Sequence, residues 1–160
     1  YKLIFNMNMK KIGLIVLMIC LASFSIAQTE NFTEKDGKLY NNEDLYTGVY
    51  NVKKEKLITS KFNFKNGLKN GEVTHFFANG KIKETGSYNY GNKDGKWKKW
   101  DNNGNKTAEA YYDNGNKTGA WLVWDKDGNK RYEMFYKEGN KTGTWKIWDE
   151  KGILTQKRTY

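Results

Sequence analysis

Residues 95–118 read GKWKKWDNNGNKTAEAYYDNGNKT, and this stretch decides the fold. Its first seven residues have the aromatic enrichment of a β-strand, and Asn102-Asn103-Gly104-Asn105 is turn chemistry. Lys106 to Tyr112 return as a second strand, and Asp113-Asn114-Gly115-Asn116 turn again. Asn-Gly and Asp-Gly supply the positive φ that tight hairpins require, so Gly104, Gly128 and Gly152 are expected at positive φ. No segment keeps an apolar period of 3.6, and glycine recurs too often for helix.

Working outward, the unit recurs every 24 residues. Gly67, Gly91, Gly115 and Gly139 form one ladder; Gly71, Gly95, Gly119 and Gly143 a second; Gly80, Gly104, Gly128 and Gly152 a third. Phe64, Tyr88, Tyr112, Tyr136 and Tyr160 keep the same step, as do Lys69, Lys93, Lys117 and Lys141. So do Trp97, Trp121 and Trp145, and likewise Trp100, Trp124 and Trp148. A degenerate copy with one residue lost spans Tyr40 to Asn63, where Tyr46-Thr47-Gly48-Val49-Tyr50 replaces Lys-x-Gly-x-Trp. Two strands per repeat predict an all-β, elongated antiparallel meander in a single sheet. Equivalent residues of successive repeats should then stand roughly 9.6 Å apart. The predicted strands are Gly95–Asp101, Gly119–Asp125 and Gly143–Asp149.

The pattern aromatic-x-x-Gly-x-Lys-x-Gly-x-Trp followed by Asp-x-x-Gly resembles the MORN-repeat variant family, bacterial proteins that include some labelled YwqK-type antitoxins. The resemblance covers residues 40–160, read as five repeats. It implies β-hairpins in an extended sheet, with scaffolding or partner binding as the role, and it does not imply catalysis.

Ahead of the repeats lies an export signature. Lys10 and Lys11 precede an apolar stretch from Ile12 to Ala22, and Ser25-Ile26-Ala27 offers small residues for cleavage before Gln28. Residues 1–27 therefore read as a signal peptide, with Met7 or Met9 as a possible start, and 28–39 as an N-terminal segment. The apolar stretch is shorter than the roughly 20 residues of a spanning helix, so no transmembrane helix is expected in the mature chain. Ile19 before Cys20 departs from a lipoprotein cleavage pattern. The expected location is the periplasm, the cell surface or the medium.

Without residues 1–27 the chain carries 25 basic and 18 acidic side chains, 22 aromatic residues and only 14 Leu, Ile or Val. So few aliphatics would suit a disordered chain, and the rings must therefore make the core, since each buries about 150–250 Å².

Residue types exclude several chemistries. The single Cys20 forms no internal disulfide or thiolate cluster, and the lone His75 has no second imidazole for a His-based metal site. Ser60 and Ser87 have no base at a suggestive spacing, so no catalytic residue, metal or cofactor is assigned. Asp125-Lys126-Asp127-Gly128-Asn129 opens like an oxygen-ligand loop, but its sister turns lack the second carboxylate and read as hairpin turns. The lysine ladder beside aromatics superficially suits single-stranded nucleic acid. Export removes that ligand, and none is expected.

Strand alternation places Trp97, Trp121 and Trp145 with Lys99, Val123 and Ile147 on one face. Trp100, Trp124 and Trp148 fall on the other with Lys98, Leu122 and Lys146. Lysines are poorly suited to burial, so Trp100, Trp124, Trp148, Lys98 and Lys146 are the expected binding surface, while the Trp97 row and the glycine ladders are structural. The function expected is an exported, non-enzymatic scaffold binding a protein or envelope partner. Carbohydrate or cell-wall binding and toxin sequestration are the alternatives.

Overall fold

The computed structural model describes residues 31–160. The export signature of residues 1–27 lies outside them. The described residues form strands and turns in two sheets. A small antiparallel sheet contains β1 (Phe32–Lys35), β2 (Lys38–Asn41) and β3 (Asp44–Leu45). The large sheet begins with β4 (Gly48–Lys54), β5 (Leu57–Lys65), β6 (Leu68–Phe76) and β7 (Ile82–Asn89). It continues through β8 (Asn92–Trp100), β9 (Lys106–Asp113) and β10 (Asn116–Trp124) to β11 (Lys130–Lys137), β12 (Asn140–Trp148) and β13 (Leu154–Thr159). Each strand of this ten-stranded sheet pairs with its neighbours in sequence, the open meander that the repeat predicts.

Strand boundaries differ from those expected. β8 runs from Asn92 to Trp100, not from Gly95 to Asp101, and β10 and β12 shift likewise. The reason is turn geometry. Asn114-Gly115 is a two-residue connection with both φ values positive, 44° and 90°, so pairing continues right up to it. At the other end, Asp101 accepts hydrogen bonds from the backbone N–H groups of Asn103, Gly104 and Asn105 at 2.9 Å each, and so belongs to the turn. Gly104, Gly128 and Gly152 have φ values of 100°, 84° and 74°, as expected.

The same two-residue turn places Tyr90 at φ 41° and Glu138 at φ 50° in the position Asn114 occupies. Left-handed backbone costs an ordinary L-residue about 1–2 kcal/mol, and Asn tolerates it better. Tyr90→Asn is expected to stabilise the chain by about 0.5–1 kcal/mol in urea unfolding. A neutral or destabilising result would show that the exposed Tyr90 ring contributes more than the turn loses.

Register then sets the faces. Between β7 and β8, Gly86 alone lies opposite Gly95, Lys96 and Trp97; Ala110 and Met134 stand in the same way opposite Gly119–Trp121 and Gly143–Trp145. Because two extra residues are inserted, the alternation of side chains survives the bulge. Adjacent hairpins are further joined where the Gly91, Gly115 and Gly139 N–H groups donate to the carbonyls of Lys69, Lys93 and Lys117 at 2.7–2.9 Å.

The large sheet's core lies on one face of a single layer. Phe62, Val73 and Trp97 are buried, with Phe64, Tyr88, Ala110 and Tyr112 packed around them. At the N-terminal end the small sheet adjoins it: Leu39 N–H donates to the Gly67 carbonyl, and Phe32 packs edge-on against Tyr46 and Tyr50.

Candidate functional site

On the Trp97 face the aromatic residues form one continuous ladder. Tyr88, Trp97, Tyr112, Trp121, Tyr136, Trp145 and Tyr160 follow one another at ring-centroid distances of 4.8–6.1 Å. Each gap sums the edge attraction of tilted rings, about 0.5–1.5 kcal/mol per pair beyond area burial. The repeated lysines roof the ladder. Lys93 Nζ lies 3.7 Å from the Trp97 ring centroid and 5.3 Å from that of Tyr112. Lys117 sits 4.6 and 5.0 Å from Trp121 and Tyr136, and Lys141 4.6 and 4.9 Å from Trp145 and Tyr160. Lys69 takes the same place over Phe62 and Tyr88 at 4.9 and 5.8 Å. The lysine ladder read from the sequence is thus a row of ammonium groups seated on rings.

Burial fades along this ladder for a local reason. Trp97 is 2 % exposed, whereas Trp121 and Trp145 are half-buried. Gly86, opposite Trp97, has no side chain, and a Cβ there would fall 2.2 Å from the indole. Ala110 and Met134 occupy that place later, and there the indoles donate Nε1–H to the Tyr111 and Phe135 carbonyls at 3.0 Å. Trp97 has no partner for its Nε1.

The second face is an ion lattice with its own ladder. One extra residue in β9 and β11 makes Lys106 the direct partner of Trp100 and Lys130 that of Trp124. Lys106 Nζ also lies 4.2 Å from the Trp124 ring, and Lys130 Nζ 5.5 Å from Trp148. Trp100, Trp124 and Trp148 are therefore interleaved with lysines and half-buried. Lys146 is tied to Glu133 at 3.0 Å, and Lys98, half-buried, pairs with Glu109 in register. Of the residues expected to form the binding surface, the three indoles line up in one row and Lys146 is already ion-paired. Beside Trp124 lies a shallow recess of about 340 Å³ lined by Asn105, Lys106, Lys126, Asp127 and Gly128.

Two carboxylates organise the lattice: Glu109 meets Lys96 at 3.2 Å and Lys106 at 3.4 Å, and Glu133 meets Lys130 at 3.1 Å and Lys146 at 3.0 Å. Burial pushes both carboxyls up, but hydrogen bonds and attraction from these lysines more than offset it and leave both below the usual Glu value. Groups depressed in the folded state add stability above the unfolded carboxyl pKa, and that contribution disappears as pH falls through the folded one. The urea midpoint is therefore expected to drop on acidification below about pH 4.5, and Glu133→Gln should flatten that drop. An unchanged slope in the variant would remove Glu133 from the account.

Register also assembles residues that sequence spacing did not. Ser60 had no apparent base, yet pairing of β5 with β6 sets it opposite His75, with Ser60 Oγ and His75 Nδ1 hydrogen-bonded at 2.8 Å. Glu84 follows on β7 and is shared by Lys93 and Lys99, each at 3.7 Å. Burial lowers the His75 pKa, favouring the neutral ring. The repeat equivalents of Ser60 are Glu84, Ala108, Tyr132 and Gln156, and those of His75 are Lys99, Val123 and Ile147, so the repeat pattern carried no signal for this pair. The Asp125 carboxylate accepts from the Asp127 and Asn129 N–H groups at 3.0 and 2.9 Å, the turn role of its sisters.

A single-layer meander of hairpins with bulge glycines, a roofing lysine and a ring in every repeat defines a β-hairpin repeat protein. The chain belongs to the MORN repeat variant family, whose model matches residues 69–90, 93–116, 117–138 and 141–160. No curated protein matches it. Among solved structures it is similar to the crystal structure of the GtfA/B complex bound to UDP and GlcNAc, at 12% identity and a TM-score of 0.28. That match covers 82% of this chain and 24% of the other, a likeness too slight to bear on fold or function.

Proposed function

We propose that this chain is an exported, non-enzymatic scaffold that holds a macromolecular partner at the cell envelope. The observation that supports this most is the single-layer sheet carrying ring and ammonium groups at a fixed step on both faces. Such a surface offers stacking and charge along a line, the means by which repeat proteins engage extended partners. Export rests on Lys10, Lys11, the Ile12–Ala22 stretch and Ser25-Ile26-Ala27. Cross-linking of the chain in envelope fractions, followed by mass spectrometry, is expected to recover a partner and a mature N-terminus at Gln28. Intact chain confined to the cytoplasm without a partner would overturn the proposal.

A second reading has support at one place. The recess beside Trp124 sets an indole next to Asn105 and Asp127, groups suited to stacking on and hydrogen-bonding a sugar ring. In that case Trp124→Ala abolishes retention on insoluble cell-wall glycan while the chain stays folded.

A further inference from the structure

The two faces balance their charges differently. On the Trp100 face, Glu109 and Glu133 each pair with two lysines from within the sheet. On the Trp97 face the lysines at 69, 93, 117 and 141 share their side of β6 to β12 with one carboxylate, Glu84, already held by Lys93 and Lys99. Among the described residues Lys69, Lys117 and Lys141 have no carboxylate within ion-pair distance, although each is fixed over two rings. Seating on rings removes much of the freedom a surface lysine ordinarily has to give up on binding, so these ammonium groups are preorganised donors facing outward.

Their spacing selects the ligand. The lysines recur on every second strand, and at about 4.8 Å per strand the step is roughly 9.6 Å. A polyproline II helix repeats its face every three residues, at 3.1 Å per residue about 9.3 Å. An extended β-strand ligand would turn every third side chain to the opposite face and so would not match. Aromatic rows are also surfaces on which polyproline II segments dock.

We propose that the lysine row at 69, 93, 117 and 141, with the Tyr and Trp rings beneath it, is a docking track for an acidic peptide in polyproline II conformation, its carboxylates meeting Lys69, Lys117 and Lys141 in step with the repeat while Lys93 stays with Glu84. This rests on the scaffold reading above and names its partner class. The expected gain over a mismatched ligand comes from charge-assisted hydrogen bonds made in register.

The test titrates the full chain with synthetic peptides, read by tryptophan fluorescence at low and physiological salt. A peptide of repeated Glu-Pro-Pro triplets is expected to bind about tenfold more tightly than one of Glu-Pro-Pro-Pro quartets with equal charge, and Lys-Pro-Pro not at all. Lys117→Gln with Lys141→Gln should lose that preference, Lys→Arg at both should keep it, and Lys137→Gln with Lys157→Gln, which removes the same charge from the other face, should leave it unchanged. Equal affinity for triplet and quartet, which signals nonspecific attraction between opposite charges, overturns the proposal, as does no binding by either. The peptide comparison on the unaltered chain decides even where the Gln variant fails to fold. A partner captured from the envelope whose binding ignores the lysine row would sink this inference and leave the scaffold reading standing.

Discussion

Trp97→Ala is expected to destabilise the chain by about 3–5 kcal/mol, the largest effect of any single truncation of a ring in the repeats. The ring is 2 % exposed, contacts Tyr88 and Tyr112 at 5.2 and 6.1 Å, and lies under Lys93. Removing it opens a cavity that a paired strand cannot close, and it strands the Lys93 ammonium over a gap. Position amplifies the effect. β8 lies in the middle of the strand order, and in a quasi-one-dimensional array a broken central interface uncouples the units on both sides. Trp100→Ala, on the half-buried ladder of the other face, should cost clearly less. Urea unfolding followed by far-UV circular dichroism measures both, and equal losses would mean that the two rows contribute alike.

Gly86→Ala should have the second largest effect, about 2–3 kcal/mol for adding one methyl group. The strain is one of space. A Cβ would lie 2.2, 2.3 and 2.7 Å from three indole carbons of Trp97, and every one of those atoms belongs to a rigid bicycle buried in the core. One escape exists. Trp97 can swing to the orientation of Trp121 and Trp145, whose Nε1–H groups reach the backbone of the preceding strand. That motion would give its unpartnered Nε1 a hydrogen bond and expose more ring. A loss under about 0.5 kcal/mol together with a red-shifted tryptophan emission would show that the escape is taken, and that burial of Trp97 contributes little.

The part of the fold legible in the sequence is the part written locally and repeated. Asn114-Gly115 and Asp101-x-x-Gly104 encode turns through backbone conformations few residues adopt, and their recurrence at a fixed step forces neighbouring hairpins to pair in order. Alternation of Trp97 and Trp100 onto opposite faces was legible for the same reason, and it holds because Lys98 and Lys99 between them pair regularly with Glu109 and Ala108, while the two-residue insertion opposite Gly86 keeps Lys93 on the Trp97 face. Strand starts were misplaced by three residues, since Gly95 is a bulge inside β8 and the glycine pattern alone reads the same as a strand beginning.

What the sequence by itself determined is an all-β repeat of the MORN variant type, with rings in place of an aliphatic core and lysines at a constant step. Tertiary structure alone decided which lysine sits on which ring, why Lys146 is neutralised by Glu133 while Lys117 is not, and that Ser60 meets His75. The physical reason is that each of these contacts crosses between strands. Their register depends on how many residues each bulge inserts opposite one partner, a sum over two strands and the turn joining them, whereas a repeat pattern specifies only what each strand contains.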